Sequence, residues 1–105
     1  MSTPVIVTAI FEPAPGQYDA VVEALKPTIA AVHEEPGCEL YAIHNDMHGV
    51  IVMIEKWETE ELLDKHAAGA AVAAQNAALE GLLARPVEVT RMAPIPAGTE
   101  AQGLL

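Results

Sequence analysis

Few residues in this chain can do acid–base or metal chemistry, and their spacing keeps them apart. The sequence carries 4 histidines (His33, His44, His48 and His66) and 1 cysteine, Cys38. His44, Asp46 and His48 crowd a glycine-containing turn and offer two imidazoles and a carboxylate to a metal ion. No fourth ligand follows them, and turn residues of this kind are ordinarily solvated, so no metal is expected. His33 precedes Glu34 and Glu35 near the end of a helical pattern, where a cationic imidazole is favoured by the helix dipole; its role is structural. Cys38 opens a strand pattern and reads as a small core residue rather than a nucleophile. A lone cysteine also excludes an intrachain disulfide. The chain has no glycine-rich phosphate loop and no serine recognisably paired with a base.

His66 is different. With Leu62, Leu63, Ala70 and Ala73 it falls near the apolar side of a helical segment, close to a break at Gly69. An imidazole facing an apolar pocket can serve as a general base near neutral pH. The alternative is a partly buried histidine satisfied by a backbone carbonyl, and on periodicity alone that is the commoner case.

The elements that must position these residues follow from hydrophobic period. Val5–Phe11 is β-branched and almost wholly apolar, the pattern of a strand buried on both faces. Tyr18, Val21, Val22, Leu25, Ile29 and Val32 recur at helical spacing, with Pro27 inside the run to kink or weaken one turn. Pro36-Gly37 ends it. A strand from Cys38 to about His44, a turn through Gly49 and a strand from Val50 to Trp57 make an antiparallel hairpin. Thr59 is a suitable N-cap, with Glu60 and Glu61 placed where the helix dipole favours negative charge. Helix then runs to about Leu83, broken at Gly69, before a last strand from Val87 to about Met92. The order β-α-β-β-α-β predicts a ferredoxin-like α+β domain with both helices on one face of an antiparallel sheet. Residues 1–96 form the domain, and 97–105 are expected to be a flexible tail.

Alternation along the strands assigns their faces. Val5, Val7, Ala9 and Phe11 suit the helix side. Ile6, Ile10, Tyr41, Ile43, Ile51, Met53 and Trp57 are then left on a face that no helix covers. A monomer would expose a large apolar patch there, so a homodimer enclosing an apolar pocket is expected.

Composition limits the partners. At 105 residues, 51% of them hydrophobic, the chain can bury one core. A formal net charge of -10 repels phosphate backbones and anionic headgroups, so neither nucleic acid nor membrane is an expected partner. No apolar run reaches the ~20 residues of a spanning helix, and the N-terminus lacks a signal-peptide pattern, so a cytoplasmic location is expected.

The run Glu35-Pro36-Gly37-Cys38 with Tyr41, the strand end Ile54-Glu55-Lys56-Trp57, the stretch Glu60 to His66, and the closing Pro86 to Arg91 together resemble the antibiotic biosynthesis monooxygenase family. The resemblance spans about residues 4–96 and implies a dimeric α+β barrel. Such proteins oxidise phenolic and quinol-like polyketide substrates with O2, with no metal, flavin or haem. It therefore implies no cofactor, a small aromatic substrate, His66 as catalytic base or polar anchor, Trp57 and Tyr41 shaping the site, and Asn76 adding a polar contact. The haem-degrading branch of the superfamily has a tryptophan at the position of His66, a haem-ligating histidine at Asn76 and an asparagine at about Ala9; this chain has none of the three. Many members carry a second histidine and an aromatic residue where this chain has Ala70-Ala71-Val72, which either enlarges the pocket or lets the helix pack closer. A non-catalytic dimeric binding protein for small aromatic molecules, and an isomerase or lyase of the same superfamily, are the alternative readings.

Overall fold

The structure, a computed structural model, describes residues 3–105. Its elements are β1 (Val5–Phe11), α1 (Tyr18–His33), β2 (Cys38–Asn45), β3 (Ile51–Trp57), α2 (Glu60–Ala67), α3 (Ala70–Leu79), β4 (Glu88–Met92) and α4 (Glu100–Gly103). The strands form a 4-stranded antiparallel sheet in the order β2-β3-β1-β4. This is the ferredoxin-like βαββαβ arrangement, with helices packed on the sheet.

Helix α1 buries Val21, Leu25, Thr28 and Val32, a stripe at spacings of three and four. It runs unbroken through Pro27, which lies on the exposed side, where water can take the carbonyl that proline leaves without a donor. The Thr59 side chain caps α2 by accepting from the Leu62 amide at 3.1 Å. Gly69 stands at the N-cap of α3 and separates the two helices. The second helical region stops at Leu79, short of the expected Leu83, as the chain turns through Gly81 at φ +80. Thr99 caps the short α4 by accepting from the Gln102 amide. Among the described residues, no helix is long and apolar enough to cross a membrane.

Register corrects the expected faces of β2 and β3. Val7 pairs with Glu55 and Arg91, and Glu55 pairs with Tyr41, so Arg91, Val7, Glu55 and Tyr41 make one row across the helix-side face. Val5 pairs with Trp57, Ala9 with Met53 and Phe11 with Ile51 on the same side. Thus Tyr41, Ile43, Ile51, Met53 and Trp57 belong to the core under the helices, not to the open face. The face without helices carries Ile6, Ile10, Leu40, Ala42, Val52, Ile54 and Met92. The error has a physical source. Glu55 interrupts its alternating set and makes that set look like the solvent side, although it is buried. In β2, a register shift between Cys38 and Leu40 further scrambles parity, since Cys38 and Tyr41 both pair with core-facing residues.

Candidate active site

A cavity of about 220 Å³ lies between the sheet and the α2–α3 segment. Within the single chain it is lined from β1, β2, β3, α2, α3 and β4. Helix α1 contacts β2 and α2 contacts β3, leaving the β4 side of the sheet less covered. All of β4 is exposed, and Val89 and Arg91 from that strand line the cavity at its open side.

His66 reaches this cavity because α2 buries Leu63 and His66, three positions apart, on its inner face. Its Nδ1 lies 2.6 Å from Oε1 of Glu35, in the loop that follows α1. A carboxylate can only accept, so Nδ1–H donates, and in the neutral ring it is Nε2 that carries the lone pair. The imidazole is packed against the indole of Trp57 at 4.5 Å between ring centroids and meets the edge of Tyr41 at 5.3 Å. These contacts hold the ring in place. His66 is therefore satisfied by a carboxylate, not by a backbone carbonyl.

Glu55 is the second ionisable group on the cavity and is only 5% exposed. The indole N–H of Trp57 donates to its Oε1 at 2.9 Å. Burial pushes its carboxyl above the ordinary carboxylate range, opposed by the Trp57 hydrogen bond and by the charges of His66 and Arg91. No ion pair within 4.0 Å joins it to a cation among the described residues; Arg91 instead binds Asp64 at 2.7 Å and Glu60 at 3.5 Å on α2.

Gln75 supplies the third polar wall. Its Oε1 lies 3.2 Å from the Tyr41 hydroxyl, which donates to it, and 3.0 Å from the Thr28 hydroxyl. Thr28 has one hydroxyl hydrogen and divides it between Gln75 and the Leu25 carbonyl at 2.8 Å. Burial and the nearby Glu55 charge raise the Tyr41 pKa, so its hydroxyl stays protonated as a donor. Among the described residues, Nε2 of His66, the second oxygen of Glu55 and the amide nitrogen of Gln75 make no hydrogen bond. No buried, unpartnered side-chain polar atom occurs among the described residues, so these three are accessible, on residues that line the cavity.

Of the residues singled out in the sequence, His66, Tyr41, Asn76 and Ala9 line the cavity. Trp57 does not. It is fully buried behind His66 and acts by supporting that ring and Glu55. Glu35, Glu55, Gln75 and Arg91 went unrecognised as site residues. Glu35 and Glu55 lay inside the motifs that carry the resemblance, and Gln75 is one of two polar residues, with Asn76, in the alanine-rich α3. Val72 and Ala67 line the cavity where bulkier residues would fill it. At the hairpin turn, Asp46 Oδ1 accepts from the His48 and Val50 amides, and no group of three metal-ligating side chains occurs among the described residues. His33 Nε2 lies 3.0 Å from the Tyr41 carbonyl, which ties the end of α1 to β2.

Comparison with known proteins agrees with this fold. Rv0793 of Mycobacterium tuberculosis is 32% identical over 96 residues, covering 90% of this chain and 95% of that protein. Its structure superimposes with a TM-score of 0.83 over 92% of this chain and 100% of that one. PA3566 of Pseudomonas aeruginosa is 29% identical with a TM-score of 0.81, covering 90% of this chain and 97% of that one. A protein of Methanosarcina mazei Go1, 21% identical with a TM-score of 0.80 over 86% of this chain and 91% of that one, shares the fold. The sequence profile described as antibiotic biosynthesis monooxygenase matches residues 4–78, and the chain belongs to that family.

Proposed function

We propose that the chain is a cofactor-independent monooxygenase that oxidises a small phenolic or quinol-like substrate with O2, and that it works as a homodimer. The observation carrying this reading is the His66–Glu35 pair on an apolar cavity, with Nδ1 tied and Nε2 left free. Removing the proton from an electron-rich phenol makes it a one-electron donor to O2, so the substrate supplies the reducing power itself. The protein then needs a base, a dry pocket and a few oriented polar groups. At roughly 20–30 Å³ per non-hydrogen atom, the cavity of about 220 Å³ takes on the order of ten such atoms. That is one substituted ring or two fused rings within the cavity, with the open side at β4 left for the rest of anything larger.

A protein that only sequesters an aromatic molecule needs apolar walls but no oriented imidazole. The tied ring favours catalysis. The test is oxygen uptake with hydroquinone, naphthohydroquinone and anthrone, beside His66→Ala and His66→Gln. Losing the base should lower turnover by about 10²–10⁴-fold. Absence of oxygen uptake by the unmodified protein across the panel would overturn the oxygenase reading and leave sequestration.

A further inference from the structure

We propose that Glu55 is a second catalytic residue, the acid that protonates the oxygen released when the O–O bond breaks; this rests on the oxygenase reading above. Glu55 and His66 stand on the same cavity, one from the sheet and one from α2, each with one polar atom held and one free. The indole of Trp57 connects them, donating its N–H to Glu55 and stacking on the imidazole. An unpaired carboxyl in an apolar core is costly. Among the described residues no ion pair compensates for it, and Arg91 in the same row is occupied by Asp64 and Glu60. A costly polar group aimed into a pocket is the pattern expected of a working one.

The chemistry requires two groups. In the first stage His66 Nε2 takes the substrate hydroxyl proton, and the resulting anion gives one electron to O2. The radical pair joins as a C–O bond, and the imidazolium returns its proton to the outer oxygen, leaving a C–H(OOH) centre and a neutral His66. In the second stage the C–H proton goes to His66, its electron pair forms the C=O bond, and the O–O bond breaks. Hydroxide leaves as Glu55 delivers its carboxyl proton, giving water. Two hydrogens leave the substrate, one oxygen enters it, and the other oxygen departs with both hydrogens. A proton passed from imidazolium to carboxylate restores both residues. One histidine cannot take the C–H proton and protonate the leaving oxygen in the same step.

Glu55 is tuned by the Trp57 hydrogen bond, by His66 on α2 and by Arg91 on β4, and the Tyr41 hydroxyl and Cys38 thiol of β2 also face it. Burial raises its pKa, which keeps more of it in the donating form than an exposed glutamate would have.

The test is turnover of naphthohydroquinone in air by Glu55→Gln, which keeps an acceptor for Trp57 but no acidic proton. Product formation should fall by about 10²–10⁴-fold, with KM changed only a few-fold and organic hydroperoxide accumulating. Glu55→Asp, which keeps an acid on a shorter arm, should recover part of the rate and less hydroperoxide should build up. Product formation at the unmodified rate in Glu55→Gln would overturn the proposal while leaving the oxygenase reading intact. So would a folded Glu55→Gln protein that loses oxygen uptake itself, as His66→Ala should, because Glu55 would then act before the O–O bond forms. No oxygen uptake by the unmodified protein would overturn both. Independently of turnover, the Glu55 carboxyl resonance, assigned by its loss in Glu55→Gln, should move when naphthoquinone is added. An unmoved resonance at saturating naphthoquinone would show that Glu55 does not face a bound ring.

Discussion

Gly37 lies against Leu62 so closely that a Cβ built on the glycine would stand 2.5 Å from Leu62 Cδ1 and 2.9 Å from its Cβ. Its φ of +83 is also a conformation that side chains resist. This contact seats the loop after α1 on α2, and the same loop carries Glu35 to His66. Gly37→Ala should therefore cost about 1–2 kcal/mol from backbone conformation, with the clash added to that. In a domain of this size each kcal/mol lowers Tm by about 4–8 °C. Adding Leu62→Ala removes the Cδ1 contact but keeps the Cβ one, so it should recover part of the clash, and the double variant should be less destabilised than the sum of the singles. Thermal unfolding of the four proteins checks this, and strict additivity would mean the contact is not felt.

Under the proposed function the Glu35 carboxylate acts through His66, and its variants should show it. Glu35→Ala frees Nδ1 and the ring's orientation, and turnover should fall by about 10–100-fold, the usual worth of a group that orients a working histidine. Glu35→Gln keeps an acceptor for Nδ1–H and should lose less. Nitrogen chemical shifts of His66 report the tautomer directly. The expected pattern is Nδ1–H in the unmodified protein and in Glu35→Gln, and a tautomer mixture in Glu35→Ala. Unchanged shifts and rates in Glu35→Ala would make the pair incidental.

Much of this site was written in the chain, but not in a form that period alone exposes. The element order follows from turn residues and apolar spacing, and the helix-side parity of β1 follows from Val5, Val7, Ala9 and Phe11. His66 stood out because a histidine on an apolar stripe violates that stripe. Glu55 violates its stripe in the same way, yet in a strand the violation flipped the reading of the whole face. Parity alone puts Tyr41, Ile43, Ile51, Met53 and Trp57 on the open side, because one acid stands among them where a solvent-facing residue would. Glu35 was invisible as a partner because it sits 31 residues from His66 and the loop that joins them has no period. Its closeness depends on Gly37 meeting Leu62, a packing fact with no sequence signature beyond the glycine itself.

The corrected faces change where a dimer contact should be sought. Trp57 and Met53 are fully buried in the core, so charging either would damage folding rather than association. Val52 and Ile54 instead lie on the face without helices, paired with Ile10 and Thr8, and are half-buried in the single chain. If the proposed homodimer forms through this face, Val52→Glu or Ile54→Glu should leave the fold intact and weaken association, because either places an unpaired charge between the sheets. Sedimentation of both variants beside the unmodified protein measures this. A stable monomer for the unmodified protein at micromolar concentration would remove the homodimer.

Glu55 also makes a signed prediction about stability. Burial raises its folded-state pKa above that of the unfolded chain, so the folded protein holds this proton more tightly. In the window between the ordinary carboxylate value and the raised folded value, the native state binds more protons. Stability from this group must then fall as pH rises through that window. Above the raised value the cost of a buried carboxylate is fully present, and below the ordinary value it is absent. The other acids titrate too, so the informative quantity is the difference between Glu55→Gln and the unmodified protein. Gln resembles the protonated acid, still accepts from Trp57, and cannot ionise. The two Tm values should be similar in mild acid, and the variant should become the more stable of the two as pH approaches neutrality. The charges of His66 and Arg91 and the Trp57 hydrogen bond set how wide the window is; Tyr41 and Cys38 face the same group, and their own raised pKa keeps them neutral. A difference that stays flat with pH, or favours the unmodified protein toward neutrality, would mean that Glu55 is not destabilised when it ionises. The expected result pairs a more stable variant with a slower one, because an acid kept for proton delivery is retained against the stability of the fold.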